Sequence, residues 1–346
     1  MLQGLLESLF TLSTSTTEMR VEKGHAQPCE RQNPVTPLRR LPVDRGDTGM
    51  PPIRSRMKRI IVNADDFGMD ASVNQGVIEA FTNGILTSTS MMSNMPGFEH
   101  ACRVASGLPD LDMGLHLNLA RGKPLSHARA VPSLVGHAGF FHDRLEVLAY
   151  KLLTHRFNLT EVRDEWRRQI ERILSAGFQP THIDSEKHLH CFPELFELTL
   201  HLAREFAIPF VRVPRELSLR AGKEPLQALK AVVAAFLSRH ARAELAAAGL
   251  PQPPCFFGIN LTRQLNTHSL KQALSAAPGD RVTEIMVHPG TPLPTGGSFS
   301  GNGRLFIEAV RHIQLQALVD DEVRQTAFGL GIRFISFRAL SPSTDS

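Results

Sequence analysis

From residue 59 onward, short apolar runs alternate with stretches of helical periodicity. Runs near 59–64, 88–94, 112–118, 181–186, 209–214, 255–260, 282–288 and 332–337 have the length and β-branched character of buried strands. Between 160 and 176, Val162, Trp166, Ile170, Ile173 and Leu174 recur at helical spacing, with Thr160 placed to cap the start and Gly177 to end it. Asp70 is placed to cap a helix that Asn83-Gly84 closes, and the Ala/Leu-rich stretch 223–249 predicts a further helix. Strand–helix alternation implies a parallel sheet with helices outside it. Eight candidate strands therefore predict an α/β fold, a TIM-barrel-like (β/α) barrel of irregular build. The long interval 118–181 opens with a polar, glycine-containing loop over 122–143, the kind of insertion that serves barrels as a lid.

Residues 1–56 do not share this pattern. A mildly apolar start is broken by Glu7, no basic residue precedes Arg20, and a Ser/Thr run and a Pro/Arg-rich stretch follow. A secretory signal needs a basic start, an unbroken apolar core and a small-residue cleavage site, so the segment reads as a disordered or mis-annotated extension. Met57-Lys58-Arg59-Ile60 resembles a natural start, and residues 57–340 are expected to form one barrel domain.

Composition narrows the function classes. The net charge is only +4 over 346 residues and the basic residues are dispersed, so no nucleic-acid stripe is present. Four cysteines form no CxxC pair, which favours a reducing compartment and a cytoplasmic location. No apolar run reaches transmembrane length, so an integral membrane protein is not expected. No sequence feature decides whether the chain forms a homodimer.

The candidate chemistry lies at the strand ends, which in a barrel converge on one mouth. The first strand runs into Asn63, Asp65 and Asp66, and two adjacent carboxylates repel unless a cation or proton settles the charge. The second ends near Ser93 and Asn94. The third alternates so that His116 and Asn118 share a face, with Gly114 permitting close approach. The fourth, if extended through its exit, points Asp184, Glu186 and His188 one way. Arg212 and Arg215 follow the fifth, and His288 ends the seventh. Any one such histidine is more often structural. Two aspartates with several His and Glu groups at four strand ends match the ligand chemistry of a divalent metal. Such an ion polarises a carbonyl or activates water, a further carboxylate takes the proton, and a histidine opposite protonates a leaving group.

Asn63-Ala64-Asp65-Asp66-Phe67-Gly68, Leu86-Thr87-Ser88-Thr89-Ser90, Gly114-Leu115-His116-Leu117-Asn118, Thr181-His182-Ile183-Asp184-Ser185 and Met286-Val287-His288-Pro289-Gly290 together resemble the YdjC-like carbohydrate deacetylases, from about Met57 to Phe337. The resemblance implies a TIM-barrel-like fold, a divalent metal ion (Mg2+ or Zn2+), and hydrolysis of an N-acetyl group on a small-molecule acetylated sugar or glycolipid. By position, Asp65 resembles the general base, Asp66 and His116 metal ligands, and His288 the general acid. One departure matters. Where the family usually carries a third histidine ligand, this chain has Glu186. Either Glu186 itself binds, or His188 replaces it, or the site is impaired. Asp184 reads as a support for a ligating histidine or as a partner of Arg212. Asn94, Asn118, Arg121 and Arg212 are candidates for binding sugar hydroxyls, the first three equally for satisfying loop backbone.

Two other readings compete. A different metallohydrolase such as a phosphoesterase would want an amide nest or basic cluster, for which Thr295-Gly296-Gly297-Ser298 is a weak candidate. A non-catalytic carbohydrate-binding barrel would retain sugar affinity without turnover. One Trp and one Tyr offer little aromatic surface for a long oligosaccharide groove.

Overall fold

A computed structural model describes residues 57–136, 138–216, 237–251, 254–292 and 302–340. The N-terminal segment 1–56, the first part of the 223–249 helix and the Thr295–Ser298 loop lie outside the described residues. Residues 237–247 are helical, as their Ala/Leu pattern predicts.

Eight parallel strands form one curled sheet: β1 (Lys58–Phe67), β2 (Ser88–Met91), β3 (Asp112–Leu117), β4 (His182–Ser185), β5 (Phe210–Val211), β6 (Cys255–Phe257), β7 (Val282–Val287) and β8 (Ile332–Phe334). All eight fall where apolar runs predict them. The order is β5-β4-β3-β2-β1-β7-β6. A parallel bridge between Glu216 and Phe256 joins the two ends of that path, so the sheet curls toward a barrel. Glu216 also accepts hydrogen bonds from the backbone N–H groups of Gly258 (3.2 Å) and Ile259 (2.9 Å) across the seam.

The barrel is irregular at β8. In a regular (β/α)8 barrel the eighth strand separates the seventh from the first. Here β7 pairs directly with β1 along Arg59–Ala64, and β8 pairs only with Lys58–Ile60. Since a strand has two edges, β8 lies below β2, which joins β1 from Asn63 onward. Its short stretch leads into Phe337, which seals the base: Ile61, Phe210, Ile335 and Phe337 form a separate apolar cluster inside the curl. The larger core lies outside, between the sheet and its helices, and includes Val62, Val77, Leu115, Trp166, Ile183 and Leu318. Inward and outward residues therefore alternate along β1, as the pleat requires.

Local signals set the helix ends. Asp70 caps the helix Ala71–Asn83, its Oδ1 accepting from Val73 N at 2.9 Å. The helix Leu159–Ser175 is capped by Asn158, whose side chain accepts from Thr160 N at 3.0 Å. The cap thus lies two residues before Thr160, because the amide oxygen of Asn158 is the group that reaches an open N–H.

Candidate active site

The barrel interior is stacked in layers. Above the apolar base, Asn63, Ser90 and His182 form a polar layer. His182 Nε2 lies 3.1 Å from both Ser90 Oγ and Asn63 Oδ1, and its ring stacks on Phe337 with centroids 4.0 Å apart. Asn63 Nδ2 donates to Ser90 Oγ (2.9 Å) and to Asp65 Oδ1 (3.0 Å), tying this layer to the next. Gly114 faces the His182 ring so closely that a Cβ there would come within 2.3 Å of it.

The next layer is built on one fully buried guanidinium. Arg212 donates to both oxygens of Asp65 (2.7 and 2.8 Å) and to Glu284 through Nε (2.8 Å). Its Nη1 also lies 2.9 Å from Asp184 Oδ2, which accepts from Ser90 Oγ at 2.6 Å. This corrects the expectation that Arg212 binds substrate: its side chain has no exposed surface and is spent on three carboxylates. Burial pushes Glu284 up, and although Arg212 opposes this, the neighbouring Asp184 and Asp65 leave it at about 7.

The mouth layer carries the convergent donors. Asp65 and Asp66 are adjacent, and a regular strand would send them to opposite faces. The β1–β2 register shifts between Ala64 and Phe67, and Asp66 adopts a left-handed φ of 71°. Aspartate tolerates that region better than most residues. The bulge turns both carboxylates inward. Asp66 Oδ1 lies 3.5 Å from His116 Nε2, and Glu186 Oε2 lies 3.6 Å from the same nitrogen. One ligand-type atom from each of these three buried residues lies within 4.8 Å of the other two. On the far side of the ring, His116 Nδ1 sits 2.6 Å from Asp184 Oδ1. Asp184 thus holds the tautomer that leaves Nε2 free to accept or ligate, and it pairs with Arg212 as well, so both of its expected roles occur together.

The outer oxygens of the two mouth carboxylates are already engaged. Arg311, from the helix Asn302–Val319, donates to Asp66 Oδ2. Arg121, from the loop after β3, donates through Nε to Glu186 Oε1 at 2.8 Å. Asp66 Oδ1 is left buried with no hydrogen-bond partner among the described residues. Burial raises both carboxyls, but Arg311, with His116 and His288, holds Asp66 below its ordinary value, and Arg121, with His116 and Lys187, holds Glu186 well below. For His116 burial works the other way, and Asp184 and Glu186 overcome it to hold the ring well above the ordinary histidine value.

The donor set fits a divalent cation. Asp65, Asp66, Asp184, Glu186 and Glu284 share three guanidiniums, those of Arg121, Arg212 and Arg311. Lys187 Nζ adds a fourth positive charge 3.9 Å from Glu186 Oε1, so with all five carboxyls ionised and His116 neutral one negative charge is in surplus. An orphaned carboxylate oxygen, an imidazole nitrogen and a second carboxylate oxygen gathered at one point could hold a metal ion.

The remaining expected residues fall elsewhere. Strand β4 ends at Ser185, and a 3-10 turn follows in which Lys187 (φ 56°) and His188 (φ 53°) are left-handed. The expected common face of Asp184, Glu186 and His188 therefore breaks after Glu186. His188 instead packs edge-on to Phe256 at 6.1 Å and lies outside the two groups of candidate ligands found among the described residues. Asn94 and Asn118 hold loop backbone. Asn94 Nδ2 donates to Arg121 O and Lys123 O, and Asn118 Oδ1 accepts from Ala120 N and Arg121 N. Their effect is to fix Arg121 over Glu186. His288 stands at the end of β7, beside β1, with its backbone N–H held by Gln314 Oε1 at 2.7 Å. Its Nδ1 is buried without a partner among the described residues. Burial lowers its pKa, although the charges of Asp66 and Asp65 reach it and oppose this.

Two site residues escape the sequence reading. Glu284 is signalled by its spacing, four residues before His288 on the same face of β7. Arg311 has no local signal, since it lies 245 residues from its partner Asp66 within an ordinary amphipathic helix.

The model of the YdjC-like protein family matches residues 59–327. The chain is 32% identical over 285 residues to a carbohydrate deacetylase of Brevibacillus brevis, covering 82% of this chain and 99% of that one. It is 42% identical over 151 residues to a carbohydrate deacetylase of Clostridium beijerinckii, an alignment covering 44% of this chain and 58% of that relative. A chitooligosaccharide deacetylase of Proteus mirabilis is 33% identical over 231 residues, or 66% of this chain and 80% of that one. Among solved structures, a protein from Enterococcus faecalis described as a cellobiose-phosphate cleavage protein superposes with a TM-score of 0.66 at 27% identity, over 83% of this chain and all of that one.

Proposed function

The chain belongs to the YdjC-like family, and from that premise we propose that it hydrolyses the N-acetyl group of an acetylated amino sugar or glycolipid with the help of a divalent cation. The observation that carries this reading is the meeting of Asp66 Oδ1, His116 Nε2 and Glu186 Oε2 at the barrel mouth, with Asp65 beside them on the same bulged strand. When bound there, Mg2+ or Zn2+ supplies Lewis-acid polarisation of the acetyl carbonyl and acidifies water.

Asp65 then takes the proton of the attacking water. Arg212 holds both of its oxygens and Asn63 holds one, so the carboxylate is oriented before substrate arrives. Asp184 keeps His116 in the ligating tautomer. His288, at the end of the strand beside β1, protonates the sugar nitrogen as the C–N bond breaks, releasing acetate and a free amine. The three free cysteines among the described residues, Cys102, Cys191 and Cys255, accord with a cytoplasmic setting. Among the described residues, no helix is long and apolar enough to cross a membrane.

The test is acetate release from a panel of N-acetylated sugars, for wild type and Asp65→Asn, with cation supplied or chelated. Turnover that needs the cation and falls by about 100-fold or more in Asp65→Asn supports the proposal. Normal turnover in Asp65→Asn on every substrate hydrolysed removes Asp65 from the mechanism. Phosphate release from a parallel panel of phosphorylated sugars, with no acetate released from the acetylated ones, favours the phosphoesterase reading.

A further inference from the structure

Glu186 stands where the resemblance leads one to expect an imidazole. A carboxylate in that place adds one negative charge, which weakens the pull of a cation on a carbonyl. The structure contains an answer to that charge. We propose that Arg121 and Glu186 act as a unit in place of a histidine ligand: Arg121 neutralises and pins Oε1, and Glu186 presents Oε2 alone to the cation. The inference rests on the cation-site reading above and extends it to a residue that touches no ligand atom of the site except through Glu186.

Three observations support the pairing. First, the two oxygens of Glu186 are differentiated. Oε1 accepts from Arg121 Nε at 2.8 Å, whereas Oε2 faces His116 Nε2 at 3.6 Å. Second, Arg121 is held in place by a purpose-built loop. Its carbonyl accepts from Asn94 Nδ2 (3.0 Å) and Asn118 Nδ2 (2.9 Å), and its N–H donates to Asn118 Oδ1 (3.0 Å). Two asparagines spent on one arginine's backbone position exceed what an incidental surface ion pair receives. Third, the same design recurs on the other carboxylate. Arg311 engages Asp66 Oδ2 and leaves Oδ1 without a partner among the described residues. Each carboxylate thus carries a guanidinium on its outer oxygen and offers its inner one.

Two consequences follow. The pair as a whole carries the charge of a neutral imidazole, so the cation keeps its electrophilicity. The donors, however, become two oxygens and one nitrogen in place of one oxygen and two nitrogens. That set shifts preference from Zn2+ toward oxygen-seeking ions such as Mg2+ or Mn2+.

The test is calorimetric titration of the chelator-stripped full-length protein with Mn2+ and with Zn2+, for wild type, Glu186→His, Arg121→Ala and the double variant. Thermal melts of all four confirm folding, and Glu186→Gln supplies a second, isosteric variant should Glu186→His fold poorly. The Zn2+-to-Mn2+ affinity ratio is expected to rise by about tenfold in Glu186→His. In that background Arg121 is an unpaired cation beside the site, so adding Arg121→Ala should recover affinity. The two changes are then non-additive by about tenfold. For Glu186→Gln, which keeps an acceptor for Arg121 but loses the charge, Mn2+ affinity falls by about tenfold. Additive effects, or an unchanged ratio, overturn the pairing while leaving the cation site in place. Failure of wild type to bind either ion overturns the cation site itself, and the pairing with it.

Discussion

Replacing Glu284 with glutamine tests the charge balance of the buried layer. Glu284 shares Arg212 with Asp65 and Asp184, so its ionisation puts a third negative charge around one guanidinium. Burial raises its pKa, Arg212 opposes this, and Asp184 and Asp65 add to the rise, for a value of about 7 against an ordinary 4.5. Between those values the folded protein holds a proton that the unfolded chain has lost. The stability this group contributes is therefore complete below the unfolded value and is lost as pH rises through about 7. At about 1.4 kcal/mol per pH unit, the loss amounts to about 3 kcal/mol. Glutamine does not titrate, and its Oε1 can still accept from Arg212. The stability of Glu284→Gln relative to wild type should thus climb by about 3 kcal/mol between acid and alkaline pH, most steeply below about pH 7, and then level off. Urea unfolding of both proteins in chelator, at closely spaced pH values, measures this, and only the difference between the two curves is read because other groups titrate in both. A difference that stays flat across that range would refute the reasoning, since Glu284 would then ionise as freely in the fold as outside it.

Other perturbations follow from the same geometry. Asp184→Asn removes the carboxylate that holds His116 Nδ1, and cation affinity measured by calorimetry should drop by about 10- to 100-fold with the fold retained. Gly114→Ala places a methyl within 2.3 Å of the His182 ring, which is trapped between Ser90, Asn63 and Phe337, so the denaturation midpoint should report a loss of about 1–3 kcal/mol. Gly76→Ala directs a Cβ to within 2.5 Å of Gly290 Cα, and backbone cannot swing aside as a side chain does. It should displace the His288-Pro289-Gly290 turn and lower kcat more than it changes KM, and an unchanged kcat would show that the turn tolerates the shift.

The sequence by itself determined the strands and their polar ends. Buried parallel strands read as short apolar runs closed by turn residues, and that signal is local, which is why eight runs predict eight strands. It also determined which chemistry gathers at the mouth, because Asp65, Asp66, His116, Asp184, Glu186 and His288 stand at or just past strand ends. What it could not determine is which way each of these points. Periodicity assumes a regular backbone, and the site is made where the backbone departs from it. A bulge at Asp66 brings two consecutive carboxylates to one side, and left-handed residues at Lys187 and His188 end the common face after Glu186. Nor did any local pattern announce that Arg311 would reach Asp66, that Arg212 would bind three carboxylates in place of a sugar, or that β8 would slip to the base of β1. Those are pairings across the chain. They are decided by the register and closure of the sheet and by the need of each buried charge for a partner, conditions that exist only once the tertiary structure has formed.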